Sequence, residues 1–181
     1  MALFEQTIDQ HSDFLGTLHH HFLDEDRKNA LQAFALKGFP TKKDEEYKYT
    51  NLKEITEKSY NFFPKEEHHI SREQLDQLHL GEENFDRIVF INGKLHKEFS
   101  KISIGNAEFL SFNYALNDPA HREVFDQYFN TIANKDLAFT NLNSAYCKFG
   151  FFLRVPKNVV IEKPIHVFYL SQNQEENTFY N

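Results

Sequence analysis

At 181 residues, with 40% apolar and 26% charged side chains, the chain can bury a sizeable core and has the balance of a globular protein. Its formal charge of −7, with Lys and Arg scattered, excludes the basic stripe that nucleic acid requires. No apolar run approaches the roughly 18–20 residues that span a bilayer, the acidic N-terminal stretch lacks signal-peptide order, and the single Cys147 excludes an intrachain disulfide, so the expected location is cytoplasmic.

Residues 2–37 are predicted to form two helices. In the second, Leu31, Phe34 and Ala35 share one face at the i, i+3, i+4 spacing. Gly38 and Pro40 stop it, and Glu25 and Asp26 near its start complement the helix dipole. Between 41 and 65 no single period wins, so a loop or short helix is expected, leading into an extended piece near Tyr60–Phe63. Ser71 and Gln74 form a capping box that should open a short helix through Leu75 and Leu78, ending near Gly81. With twenty Phe, eight Tyr and no Trp, aromatic rings are the expected core material.

From Asp86 the pattern becomes β. The run Arg87–Ile91, then Asn92-Gly93, then Lys94–His96 reads as a hairpin, because Asn-Gly supplies the two positive-φ residues of a two-residue turn. Ile102 and Ile104 suggest a further short strand. Pro119–Ile132 reads as a helix with Val124, Phe125, Tyr128 and Phe129 inward, and Leu137–Tyr146 as another. The chain then changes character. Phe151, Leu153 and Val155 alternate with Phe152 and Arg154, and Ile165, Val167 and Tyr169 alternate with His166, Phe168 and Leu170. Pro156 and Pro164 make the corners. Short strands with close corners suit a sheet that keeps turning, and the chain stops where such a structure would begin, as a fragment would. Open strand edges there would pair with further chain or with another molecule.

Candidate chemistry is sparse. His19-His20-His21 and His68-His69 are successive residues that cannot converge on one ion, and no H-x-x-x-H or C-x-x-C pair supports a metal site. Cys147 has only Lys148 nearby to lower its pKa, so a structural role is expected. His166 has no carboxylate or nucleophile at an informative spacing. Glycine-rich phosphate loops and nucleophile elbows are absent. Neither a catalytic, a cofactor-binding nor a metal-binding residue is assigned, and the protein is expected not to be an enzyme.

Two segments carry a resemblance. The first runs Gly38-Phe39-Pro40-Thr41-Lys42-Lys43-Asp44-Glu45-Glu46-Tyr47-Lys48-Tyr49-Thr50-Asn51-Leu52. It resembles the pattern Gly-Leu-Pro-Thr-Arg-Arg-Asp-Glu-Glu-Trp-Lys-Tyr-Thr-Asn-Leu of the SufB/SufD family, which belongs to the SUF iron–sulfur cluster assembly system. The second comprises Leu142–Ala145 and Gly150–His166, and is similar to the start of that family's β-helical core, with Phe149 where an acidic residue is usual. The SufB branch shares the second segment; the first favours the SufD branch.

The resemblance implies an α+β fold: a helical N-terminal region with a small hairpin and α/β part, leading into the first rungs of a right-handed parallel β-helix. The expected divisions are residues 1–82 (helical), 83–146 (mixed) and 147–181 (start of the β-helix). It also implies a scaffold that pairs with SufB-like and SufC-like proteins. Iron–sulfur cluster, reduced flavin and ATP (through SufC) belong to the parent complex, with no cofactor bound by this stretch. The regions that meet SufC and handle iron or sulfur are expected beyond Asn181. Two other readings are a β-helix enzyme acting on polysaccharide and an adaptor that self-associates through strand edges. The first needs two carboxylates, and Glu162 is the only one among the β-runs from Phe151 to Leu170.

Overall fold

The structure is a computed structural model that describes residues 2–19, 22–63, 70–77, 84–172 and 177–180. Helices α1 (Leu3–Asp9) and α2 (His11–Gly16) follow one another with a slight break at Gln10. Their buried residues, Leu3, Gln6, Thr7, His11, Phe14 and then Leu18, recur at three- and four-residue intervals and form one inward stripe. Helix α3 (Asp24–Lys37) carries Asp24, Glu25 and Asp26 in its first turn and Lys37 in its last, the order that the helix dipole favours. Gly38, at φ 71°, ends it by donating its N–H to the Phe34 carbonyl (2.7 Å). The expected pair of helices is therefore three. The first divides where the Gln10 backbone opens to ψ −2°, although hydrogen bonds continue on either side.

Helix α8 (Ala138–Ala145) packs against α3, where Ala30, Ala138 and Ala145 let the backbones approach closely. Around that contact lies an aromatic core. Phe34 is fully buried, its ring 5.0 Å from Phe39 and 5.7 Å from Phe4, while Tyr146 lies against Phe14 (4.8 Å) and Phe62 (5.2 Å). Such pairs add to the area that each ring removes from water. Leu23, Phe112, Ala115, Leu116 and Phe125 form a second cluster.

Short elements join these clusters: a 3₁₀ turn at Glu45–Tyr47, α4 (Lys53–Thr56) and α5 (Arg72–Gln77). The capping box at α5 is formed. The Ser71 N–H donates to Gln74 Oε1 (2.9 Å), and the Gln74 N–H to Ser71 Oγ (3.3 Å). The expected continuation through Leu78 to Gly81 lies outside the described residues. The extended piece near Tyr60 makes a parallel bridge from Asn61 to Thr178.

Strands β1 (Asp86–Ile91) and β2 (Lys94–Leu95) form the expected hairpin, with Asn92 at φ 49° and Gly93 at φ 79°. β5 (Ile165–Leu170) lies parallel to β1, from Asp86 opposite Ile165 to Ile91 opposite Leu170, giving the order β2-β1-β5. A second sheet pairs β3 (Glu108–Ser111) with β4 (Phe151–Arg154) in antiparallel register.

Ile102 and Ile104 lie in no strand, a correction to the sequence reading. The Ser103 N–H is held by the buried Asp86 carboxylate (2.9 Å), and a turn from Ile104 to Ala107 follows through Gly105 at φ 57°, so β-pairing stops at the Arg87–Lys101 bridge. The strand is β3 instead. α6 (Phe112–Asn117) follows it, then a 3₁₀ turn at Pro119–His121 and α7 (Arg122–Tyr128). Helix α7 ends before Ile132, because Phe129 is extended and Asn130 adopts φ 56°. Tyr128, expected inside, is 62% exposed. The fold is thus α+β with two small sheets. Among the described residues neither sheet closes into a barrel or coils into a solenoid.

Candidate functional site

The residues with chemical potential fall into a buried polar clasp, a histidine held between carboxylates, and two open strand edges. The clasp surrounds the C-terminal end of α8. Arg27, 1% exposed, directs Nε and Nη2 to the Cys147 carbonyl (3.0 and 2.8 Å) and Nη1 to Asp24 Oδ1 (3.2 Å). Burial lowers the guanidinium pKa, opposed by Cys147 and Asp24. His11 Nε2 lies 3.0 Å from the Ala145 carbonyl oxygen, and its ring meets Tyr146 edge-on at 5.3 Å. Burial lowers the His11 pKa too. The Tyr146 hydroxyl donates to the Thr7 carbonyl (2.6 Å), and desolvation raises its pKa. Each of these groups meets a backbone carbonyl, so the clasp locks α1, α2 and α3 onto the end of α8 and leaves no reactive atom presented. Cys147 belongs to this structural set, since burial pushes its thiol up to about 11, away from thiolate chemistry.

His121 is the functional-looking residue that the sequence reading missed. It is 5% exposed, with Nε2 2.9 Å from Glu108 Oε1, Nδ1 3.2 Å from Asp118 Oδ2, and its ring edge-on to Phe152 (5.0 Å). Asp118 also accepts from the Ala120 N–H, capping the 3₁₀ turn that sets the imidazole. The cluster ties β3 to the turn before α7, and a D-P-x-H sequence was its one local signal. Among the described residues no group of three or more His, Cys, Asp or Glu side chains is placed to hold a metal ion.

His19 is exposed, while His20, His21, His68 and His69 lie outside the described residues. His166 stacks on Phe85 at 4.1 Å, and Glu162 is exposed.

The strand edges are more informative. β5 pairs only with β1 and β4 only with β3 among the described residues, so the outer edge of each is open. On β5, Val167 and Tyr169 are 38% and 71% exposed, and no residue from Ile165 to Leu170 carries a fixed charge. Beside β4 runs a groove of about 740 Å³ that touches every residue from Phe151 to Val155, with α7 as its opposite wall. Alternate side chains of a strand point to opposite faces, so a groove that meets all of them follows the backbone edge. Both edges therefore offer hydrogen-bonding groups to a further strand.

The motif Gly38–Leu52 occupies the surface. Phe39 is rooted on Phe34 and on Phe139 (5.8 Å), and Tyr47 lies 5.9 Å from Phe139, while Thr41–Glu46 and Lys48–Asn51 are exposed. No helix among the described residues is long and apolar enough to cross a membrane.

The family described as the SufBD protein N-terminal region matches residues 2–167. The chain belongs to the SufBD family. It is 27% identical over 145 residues to an iron–sulfur cluster assembly SufBD family protein of Synechocystis sp.. The aligned part covers 80% of this SufBD chain and 32% of that protein, so the chain spans about a third of the length of the curated relative it matches. Membership gives the two motifs a common context: one lies on the surface beside the helical core, and the other runs from the end of α8 through β4 to the start of β5.

Proposed function

We infer that this SufBD chain is the lead-in region of a SufD-type scaffold for iron–sulfur cluster assembly. In this reading it is non-catalytic and cytoplasmic, and the full-length protein pairs with a SufB-like protein and a SufC-like ATPase. The nascent cluster is cargo of that assembly. Reduced flavin and ATP serve the complex, with ATP bound by SufC, and this region binds no cofactor.

One observation carries the reading beyond the family match. β4 and β5, successive strands of the chain joined through the Pro156 and Pro164 corners, are the outer strands of two different sheets. Successive sides of a coil have that relation, and each later coil would stack on the edge that the previous one leaves open. The parallel, in-register β1–β5 pair is the first such stack. This supports a right-handed parallel β-helix beginning here, with the helical clasp closing its first end.

The reading is tested by co-expressing the full-length protein with the SufB-like and SufC-like proteins of its own genome and weighing the purified complex by native mass spectrometry. A defined complex is expected, whereas the 181-residue chain alone should not retain SufC. Failure of the full-length protein to bind either partner would refute the scaffold role. The uncharged, open edge of β5 favours one further behaviour: the isolated chain should self-associate at high concentration. A strict monomer in sedimentation would count against it.

A further inference from the structure

After β5 the chain returns to its helical end. Residues 177–180 lie along the extended piece at Tyr60–Phe62, joined to it by the parallel bridge from Asn61 to Thr178. The Asn61 N–H donates to the Asn177 carbonyl (2.8 Å), and the Asn61 carbonyl accepts from the Phe179 N–H (3.0 Å). Asn177 Nδ2 donates to the Ser59 carbonyl (3.4 Å). Helix α1 holds the other edge of the same piece: the Tyr60 N–H donates to Gln6 Oε1 (2.8 Å), and Gln6 Nε2 donates to the Tyr60 carbonyl (3.1 Å). Successive residues of an extended chain turn their backbone groups to opposite edges, so Tyr60 serves α1 and Asn61 serves residues 177–180.

Side chains complete the join. Phe179 stacks on Phe62 with ring centroids 4.6 Å apart and planes 11° from parallel, and it meets Tyr146 edge-on at 5.3 Å. Phe62 and Tyr146 are 8% and 2% exposed, and Tyr146 bonds Thr7 and packs on Phe14. One ring from far along the chain thus covers two rings of the helical core. Removing it would turn part of both toward water, against the largest favourable term in folding. β4, β5 and residues 177–180 are successive along the chain, and each lies on a piece laid down earlier: β3, β1 and Asn61. The helical core is therefore finished by the last side of a turn of sheet.

We propose that Asn177–Tyr180 is a conformational latch: its docking on Ser59–Phe62 closes the helical core, so that the helices and the chain from β4 to Tyr180 open and close as one unit. The latch also sets an order during synthesis. The chain emerges N-terminus first, so α1, α2 and α8 hold an open aromatic face until Phe179 arrives. The helical end then closes only on a chain whose first turn of sheet is in place. The latch uses this chain's own residues alone, so failure of the scaffold reading would leave it untouched.

The test uses the 181-residue chain, unaltered and as Phe179→Ala, Phe179→Leu and Ile132→Ala. Ile132 is 97% exposed and serves as the control. Two readouts are taken without denaturant: thiol labelling of Cys147, the chain's only cysteine, and amide exchange across α1, α2 and α8. Phe179→Ala should speed both about tenfold or more, with Phe179→Leu between it and the unaltered chain and Ile132→Ala within about twofold. Faster exchange confined to residues 59–62 and 177–180, with the three helices and Cys147 unchanged, would make the segment peripheral and overturn the latch. Should Phe179→Ala fail to fold, the unaltered chain in low, rising urea decides. The most protected amides of α1, of α8 and of β5 facing β1 should converge on one opening free energy and slope, whereas separate openings for the helices and β5 would refute the proposal.

Discussion

Replacing Arg27 by Met keeps most of the buried stem and removes the guanidinium, which isolates the electrostatic part of the clasp. The loss is two hydrogen bonds to the Cys147 carbonyl and one to Asp24. An acceptor left unsatisfied in the interior costs about 1–3 kcal/mol. The Asp24 side chain is 20% exposed and can rehydrate, which places the ion-pair contribution below the roughly 3–5 kcal/mol of a fully buried pair. Met fills the vacated volume and recovers some apolar contact. The net expectation is a destabilisation of about 3 kcal/mol. For a chain of this size that lowers the midpoint by about 6–12 °C. Urea unfolding followed by far-UV circular dichroism, with a thermal melt alongside, gives both quantities. The companion change Asp24→Asn should cost much less, because its partner still has the carbonyl. A loss below about 1 kcal/mol for Arg27→Met, with the urea slope unchanged, would show that the guanidinium does not hold α3 to the end of α8.

His11 makes stability depend on pH. Burial holds its pKa below the ordinary 6.5, so as pH falls from that value the unfolded chain takes up protons that the folded chain refuses. Its contribution is whole above about 6.5 and is lost as pH falls through the folded value. His11→Gln should flatten the fall in urea midpoint between about pH 6.5 and 5, and an unaltered slope would contradict the assignment. Cys147, half-buried with its thiol pushed up to about 11, should react slowly with a thiol reagent at pH 8 and faster in urea, and rapid labelling of the folded chain would contradict that shielding. Gly93→Ala forces a side chain into φ 79° and should cost about 1 kcal/mol; a neutral result would mean the hairpin turn is not as described.

What could be read in advance followed from how local the physics is. Asn92-Gly93 and the Ser71–Gln74 box were legible because turn and cap chemistry is settled within four residues. The strands Phe151–Arg154 and Ile165–Leu170 were legible from alternation between prolines. β3 was not. Glu108-Phe109-Leu110-Ser111 shows no alternation, and its pairing comes from β4, far along the chain. Arg27 was likewise hidden, because its carbonyl partner lies 120 residues away. Its place three and seven residues before Ala30 and Phe34, on the buried line of α3, was the one available sign. The motif Gly38–Leu52 was legible as a family pattern, but its exposure was not, since exposure depends on which core the neighbouring rings Phe39 and Tyr47 find.

The central claim is that β4 and β5 form the edge on which the fold of the full-length protein continues. Amide hydrogen exchange over Phe151–Arg154 and Ile165–Leu170, compared between the 181-residue chain and the full-length protein, tests it most directly. In the shorter chain the amides facing β1 and β3 should be protected and the outward amides of the same strands should exchange quickly. In the full-length protein the outward amides should become protected as well. Equal exchange in the two proteins would show that no further strand covers these edges, and would contradict the account.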